Sequence, residues 1–282
     1  MHKIKLVTDS TSDLSPELIK KHDIEVVPLH VLFKDKQYRD NVDLKTQEMY
    51  EIVKETNTLP KTSAASVGEF TEVFSKYLDQ GYEILFTGIG KNFSATYQSA
   101  FAAKTAIGSD SIYLVDSANL SSGSGLLVLK AAKYRDQGLC ASEIKEKLEE
   151  LVPKVRSQFV IDTLEYLYKG GRLNALSKIF GTMLKIKPII KVRDGLMAVG
   201  KKGRGSVRAA VDIMLNEAFM DKDMIDEDFM MITHSLAYEN AKYIKERLKA
   251  ELKIKNVYET DAGCVISSHC GKGTIGILYI LK

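Results

Sequence analysis

The segment Glu83-Ile-Leu-Phe-Thr-Gly-Ile-Gly-Lys-Asn-Phe-Ser-Ala-Thr-Tyr-Gln-Ser-Ala100 constrains the chain most. It opens as a short apolar run, Ile84 to Phe86, that reads as a buried strand. It turns through Gly88 and Gly90 and continues from about Ser94 into the alanine-rich Phe101-Ala-Ala-Lys-Thr-Ala, which reads as a helix. A strand, a glycine turn and a helix start place unpaired backbone N–H groups beside the hydroxyls of Ser94 and Thr96, and such donors stabilise an anion. The same residues also serve as ordinary helix caps, Asn92 or Ser94 filling the role. On this segment alone both readings stand.

The alternation recurs along the first half. Ile4–Thr8 reads as a strand, Asp9–Asp13 as a polar turn, and Ser15-Pro16 as a helix start with serine at the cap and proline at the first helical position. Ile24–Phe33 reads as a second extended stretch. Val42–Lys54 carries apolar residues at helical spacing, and Leu59–Ser66 reads as a loop into a helix over 67–80. Ser111–Asp116 is another strand, Ser117–Gly125 a Ser/Gly loop, Leu126–Gln137 a helix and Ser142–Leu151 an amphipathic helix. Repeated strand and helix units predict a largely parallel sheet flanked by helices. Ligands of such sheets bind beyond the carboxyl ends of the strands, where the polar loops at 9–13, 62–66, 88–94 and 116–124 fall.

The pattern changes near Arg156. Gln158–Asp162 reads as a strand, Leu164–Arg172 as a helix ending in glycine, and Met183–Arg193 pairs through Asp194-Gly195 with Leu196–Val199 in a hairpin. Arg204–Met220 reads as loop then helix, Phe229–His234 as a strand, Ala237–Leu252 as a charged helix, Ile254–Glu259 as a strand, Ser267–Gly273 as a polar glycine loop and Thr274–Leu281 as a final strand. At 282 residues the chain exceeds what one core usually fills, and two domains are expected, an α/β domain over 1–155 and a smaller α+β domain over 156–282. No internal repeat is evident.

Composition excludes several classes. A net charge of +3 with signs interspersed gives no clustered basic face for nucleic acid. No apolar run approaches the roughly 18–20 residues of a membrane span. The chain enters its first strand directly, so no signal peptide is expected. Cys140, Cys264 and Cys270 are odd in number and show no zinc spacing, which favours a reducing, cytoplasmic location. No paired metal-ligand spacing, no Gly-x-Gly-x-x-Gly and no Gly-x-Ser-x-Gly is present.

The candidate chemistry is spread along the chain. In Ser267-Ser-His-Cys-Gly-Lys-Gly273, His269 can donate to an anion or shuttle a proton, or be a locally satisfied histidine. A thiol nucleophile at Cys270 is disfavoured, because adjacent residues usually point apart. Pro60-Lys-Thr-Ser63 offers the hydroxyls of Thr62 and Ser63, or is a turn leading into a helix. Arg172 after Gly170-Gly171 and Arg204 in Gly203-Arg-Gly-Ser206 are anion forks or surface residues. Asp9 and Asp116 read as turn caps, and His234 as structural.

Taken together and in order, Thr8-Asp-Ser-Thr-Ser-Asp-Leu14, Pro60-Lys-Thr-Ser63, Phe93-Ser-Ala-Thr-Tyr-Gln-Ser-Ala100, Val115-Asp-Ser117, Gly170-Gly-Arg172, Ile186-Lys-Pro188 and His269-Cys-Gly-Lys-Gly-Thr274 resemble the DegV family of fatty-acid-binding proteins, the carrier subunits of bacterial fatty acid kinase. The resemblance runs from residue 4 to the C-terminus. It departs at Ala95, where the family usually has glycine, at Lys272, where it often has proline, and at Lys61, where threonine is more typical. It implies an acyl chain in an apolar tunnel between the two domains and a carboxylate held by Thr62, Ser94 and His269. Arg172 and Arg204, with Ser63 and Thr96, would serve the head group or a partner. The resemblance further implies that a separate ATP-binding kinase phosphorylates the carboxylate, that the acyl phosphate passes to phospholipid synthesis through at most transient membrane contact, and that this chain has no catalytic residue, metal or cofactor of its own. The alternative is a stand-alone enzyme for a small phosphorylated or acylated substrate with His269 as acid or base. A third reading is an interaction module without an enclosed apolar cavity.

Overall fold

The structure is a computed structural model that describes residues 3–34, 36–172 and 186–282. Its first part runs β1 (Ile4–Asp9), α1 (Pro16–Lys21), β2 (Ile24–Val27), β3 (His30–Phe33), β4 (Lys36–Arg39), α2 (Thr46–Thr56), β5 (Lys61–Ser63), α3 (Val67–Leu78), β6 (Glu83–Gly88), α4 (Thr96–Ile107) and β7 (Ile112–Asp116). Then come α5 (Ser122–Asp136) and α6 (Ala141–Leu151). Strands β2-β1-β6-β7 form a four-stranded sheet, parallel throughout. Successive residues of β1 face opposite ways, as the period of a strand requires: Leu6 joins the core under α1, α5 and α6, and Val7 the core under α3 and α4. Both faces are covered, so β1 is buried along its whole length, Lys5, Thr8 and Asp9 included.

The second part runs β8 (Val155–Val160), α7 (Glu165–Lys169), β9 (Ile186–Arg193), β10 (Leu196–Arg204), α8 (Val207–Met220), β11 (Ile225–His234), α9 (Tyr238–Glu251), β12 (Asn256–Asp261), α10 (Cys264–Cys270) and β13 (Ile275–Leu281). Its sheet is mixed, in the order β10-β9-β8-β13-β11-β12, and only β11 and β12 pair in parallel. Helices α8 and α9 cover one face. The expected beginning of the β9 strand at Met183–Lys185 lies outside the described residues.

Helix α5 lies between the two sheets, contributing with Leu6 and Leu85 on one side and with Met231 and Leu278 on the other to a single core. Every residue from Ser122 to Ala132 is buried. A helix enclosed on all sides shows no polar face. That explains why Ser117–Gly125 read as a loop, whereas the helix in fact starts at Ser122. Small residues are required there: a Cβ on Gly123 would lie 2.1 Å from Asn119 Oδ1 and 2.5 Å from Ser157 Oγ, and one on Gly125 would lie 2.5 Å from the Ser12 carbonyl oxygen. Deeper in the helix, buried Lys130 donates to Asp226 at 2.6 Å and Asp228 at 2.7 Å, joining α5 to β11.

Three other expectations are corrected. Ile24–Phe33 is not one strand: β2 belongs to the parallel sheet, and after Pro28 the chain crosses to β3, the centre of a small antiparallel sheet β4-β3-β5. Residues 61–63 are therefore strand β5 rather than a helix-leading turn. The Ser267–Gly273 loop is largely helix α10, closed at Gly271 with φ of +82°. The Ser15 cap holds as expected, its hydroxyl oxygen accepting the Leu18 N–H at 3.3 Å.

Candidate functional site

Four separated segments meet at one cavity of about 160 Å³. Thr62 and Ser63 come from β5. Ser94 comes from the turn before α4, Arg172 from the stretch after α7, and His269 from the last turn of α10. The other lining side chains are apolar, among them Leu29, Ile89, Phe93, Leu120, Phe159, Leu167, Met197, Val265 and Ile266. They extend into a core cluster built around Ile161, Leu164, Leu167, Ile190 and Val192. The lining thus combines a few polar groups with a majority of apolar side chains, the composition of a site for an amphipathic ligand.

Thr62 Oγ1 and His269 Nε2 are 2.9 Å apart. Burial first, and the neighbouring Arg172 guanidinium second, lower the His269 imidazole to about 4, so at neutral pH the ring is uncharged. Among the described residues its Nδ1 is buried without a hydrogen-bond partner, and it faces α7: a Cβ on Gly170 would lie 2.3 Å from it. Arg172 is exposed at the edge of the site, its guanidinium donating to the Gly170 carbonyl at 2.9 Å.

Neither Asn92 nor Ser94 caps α4, whose cap position is Ala95. Ser94 Oγ accepts the Thr96 N–H at 3.2 Å and contacts the Thr96 hydroxyl at 2.9 Å in a local turn just before the helix, and Ser94 also lines the cavity. Thr96 is fully buried behind Ser94 and does not line the cavity. Arg204 lies at the end of β10 opposite Ile186, exposed and outside the lining. The remaining polar candidates are structural. Asp116 Oδ1 accepts the Ala118 and Lys91 N–H groups. His234 is buried against the Tyr238 ring, with Glu259 and Asp261 nearby. Burial pushes the Cys264 and Cys270 thiols up to about 12, which leaves both un-ionised at neutral pH.

Sequence reasoning did not name the apolar lining. Leu29, Leu120, Phe159, Met197 and Ile266 come from five different segments, so no local period links them. Phe93, next to Ser94, was the one legible signal. Among the described residues no His, Cys, Asp and Glu cluster is arranged to hold a metal ion, and no helix is long and apolar enough to cross a membrane.

Comparison with known proteins places this geometry in context. A family model described as an uncharacterised protein of the DegV family matches residues 3–282. A DegV domain-containing protein of Clostridium acetobutylicum is 37% identical over 283 residues, with all of both chains covered. A Thermus thermophilus DegV family structure, described as fatty acid binding, superposes with a TM-score of 0.91 at 28% identity, covering 99% of this chain and 100% of that one. A stearic-acid-binding protein of Eubacterium ventriosum superposes with a TM-score of 0.87 at 28% identity, covering 100% of this chain and 99% of that one.

Proposed function

The chain belongs to the DegV family, and from that premise we propose that it binds a long-chain fatty acid and presents the carboxylate to a separate ATP-dependent kinase. The observation that carries this reading is that Thr62, Ser63, Ser94, Arg172 and His269 line one otherwise apolar cavity, with Thr62 and His269 in contact. The relatives described as fatty acid and stearic acid binding share the fold around it.

The energetics agree with an acyl ligand. Each buried methylene contributes about 0.8 kcal/mol, so a chain of roughly 16 carbons gains on the order of 12 kcal/mol before association costs of several kcal/mol. Affinity then needs no ion pair at the head. Hydroxyls from Thr62 and Ser94 and an uncharged His269 orient the carboxylate by hydrogen bonds, and one carboxylate oxygen can remain open to phosphoryl transfer. Arg172, at the exposed edge, is placed to meet charge that develops there. Ser63 and Thr96 support the same corner, and Arg204, away from the cavity, is assigned to partner docking. The cavity of about 160 Å³ is smaller than the roughly 300–1,000 Å³ of usual small-molecule sites, so a full acyl chain requires the apolar walls to part. In the stand-alone enzyme reading, an imidazole lowered to about 4 carries little proton at neutral pH and would act as a base rather than as a general acid.

The test is native mass spectrometry of purified protein, followed by denaturation and solvent extraction. A mass excess lost on denaturation, with a free fatty acid in the extract, is expected. A clean apo mass with no uptake of added palmitate would overturn the reading. With a fatty acid kinase and ATP present, Ser94→Ala and His269→Gln should block acyl-phosphate formation, and normal turnover in both would remove the site assignment.

A further inference from the structure

The first turn of the parallel sheet, Thr8 to Leu14, is the motif the proposed function leaves unused. Its carboxylates are buried, and among the described residues neither Asp9 nor Asp13 has an ion-pair partner; the same holds for Asp40 beside them. Burial raises all three, Asp40 to about 6, and each of the other two feels a neighbouring carboxylate or bonds directly to backbone N–H groups.

The partners of these oxygens follow a pattern. Asp9 Oδ2 accepts the Ile89 N–H at 2.8 Å, inside the Gly88–Gly90 turn that leads to Ser94. The fit is close: a Cβ on Gly88 would lie 2.0 Å from that oxygen. The other oxygen of Asp9 accepts the Thr11 N–H at 3.0 Å. Asp13 Oδ1 accepts the Gly263 N–H at 2.8 Å, and its Oδ2 accepts the Ser121 hydroxyl at 2.5 Å. Asp40 Oδ1 accepts the Cys264 N–H at 2.7 Å, the Val265 N–H also bonds to this carboxylate, and Oδ2 accepts the Ser10 hydroxyl at 2.9 Å. Gly263, Cys264 and Val265 open helix α10, and His269 lies in its last turn.

We propose that Asp9, Asp13 and Asp40 are positioning residues: their hydrogen bonds to the turn before Ser94 and to the start of the helix bearing His269 set the spacing between the two arms of the head-group site. The proposal rests on the reading that Ser94 and His269 hold a fatty-acid carboxylate. The lever is short and stiff. His269 lies about 9 Å along the axis from Gly263, at 1.5 Å per residue, so a tilt of about 10° at the start of α10 moves the imidazole by roughly 1.5 Å. Displacements of about 1 Å are enough to spoil a hydrogen-bonded constellation. Apart from bonds to Thr11, Ser10 and Ser121, the hydrogen bonds of these carboxylates go to the two segments that carry the site.

The variants Asp13→Asn and Asp40→Asn place an amide where a carboxylate oxygen now accepts, and Ser10→Ala removes one donor to Asp40 together with the acceptor of the Leu29 N–H. Asp228→Asn is the control, a buried carboxylate of the mixed sheet that contacts neither arm. Two readings are taken: the ring nitrogen signals and titration of His269 by NMR without ligand, and the Kd for palmitate. Asp13→Asn and Asp40→Asn should move the His269 signals and weaken palmitate about 10-fold or more. Ser10→Ala should act in the same direction by less. Asp228→Asn should lower Tm while leaving both readings unchanged. Unaltered His269 signals in the two Asn variants, or an equal effect from Asp228→Asn, overturns the proposal. Should the Asn variants fail to fold, Ser10→Ala decides in the same way. A wild-type chain that takes up no palmitate removes the acyl reading, and the His269 signals then decide the positioning role alone.

Discussion

Thr62 and His269 are joined side chain to side chain at 2.9 Å although 207 positions separate them in the chain. One sits on a three-residue strand of the small antiparallel sheet, the other on the last turn of a helix preceding the final strand. The contact ties the small sheet to α10 in the wall of the cavity. Thr62→Val keeps the shape and removes the hydroxyl. It should weaken palmitate by about 10-fold, the effect of losing roughly 1–1.5 kcal/mol from one hydrogen bond. Isothermal titration of wild type and variant checks this, and equal affinities would take Thr62 out of the head-group site.

Gly170 is the floor under His269. An alanine Cβ there would lie 2.3 Å from Nδ1 and 2.9 Å from the Tyr166 carbonyl oxygen, so the imidazole or the end of α7 must shift. Gly170→Ala is expected to reduce palmitate affinity at least 10-fold. Gly68→Ala in α3 is the comparison: nothing lies closer than 3.9 Å to the new carbon. It should leave binding intact and raise stability by about 0.5–1 kcal/mol through helix propensity. If Gly170→Ala binds like wild type, the fit of His269 against α7 is looser than drawn here.

Stability against pH carries two opposed contributions. His269 titrates near 4 in the folded chain and near the ordinary 6.5 unfolded. The unfolded chain therefore binds more protons between these values, and this contribution rises with pH across roughly 4 to 6.5. Asp40 titrates near 6 folded against 3.8 unfolded, so here the folded chain binds more protons, and its contribution falls as pH rises across roughly 4 to 6. Asp9 and Asp13, raised by burial, act in the same sense as Asp40. His269→Gln should leave a profile that falls across this window, and Asp40→Asn should tilt the profile the other way. Urea midpoints at about pH 4, 5, 6 and 7 read both; superimposable profiles for the three proteins would contradict these assignments.

The Lys130 ammonium is a separate determinant of stability. It is 3% exposed and bridges Asp226 and Asp228, while Lys133 and Lys255 approach Asp228 from outside. Despite its burial, Asp228 is held low by these ammonium groups. Lys130→Met should cost about 3 kcal/mol, the low end of the loss on breaking a buried pair, because Asp228 keeps two partners. Chemical denaturation measures the loss. Palmitate stoichiometry should not change, since the network lies outside the cavity lining.

Much of the architecture was written in local sequence. Strands β1, β6 and β7 are short and mostly apolar because helices cover both faces of their sheet, and the Ser15-Pro16 start of α1 follows from capping alone. The residue types of the site were legible too, as hydroxyls, a histidine and arginines in loops near strand ends. Local sequence misread Ser122–Gly125 and Ser267–Cys270 as loops. Ser122–Gly125 pack closely against Asn119, Ser157 and Ser12, and the helix that carries Ser267–Cys270 starts where the Gly263 and Cys264 N–H groups donate to Asp13 and Asp40. No local pattern could bring Thr62, Ser94 and His269 to one cavity, admit Arg172 to its edge, or leave Arg204 outside it. Helical and strand periods are set by neighbours a few residues away, whereas the candidate site depends on contacts between distant elements, such as Thr62 of β5 against His269 of α10, which only the tertiary packing makes.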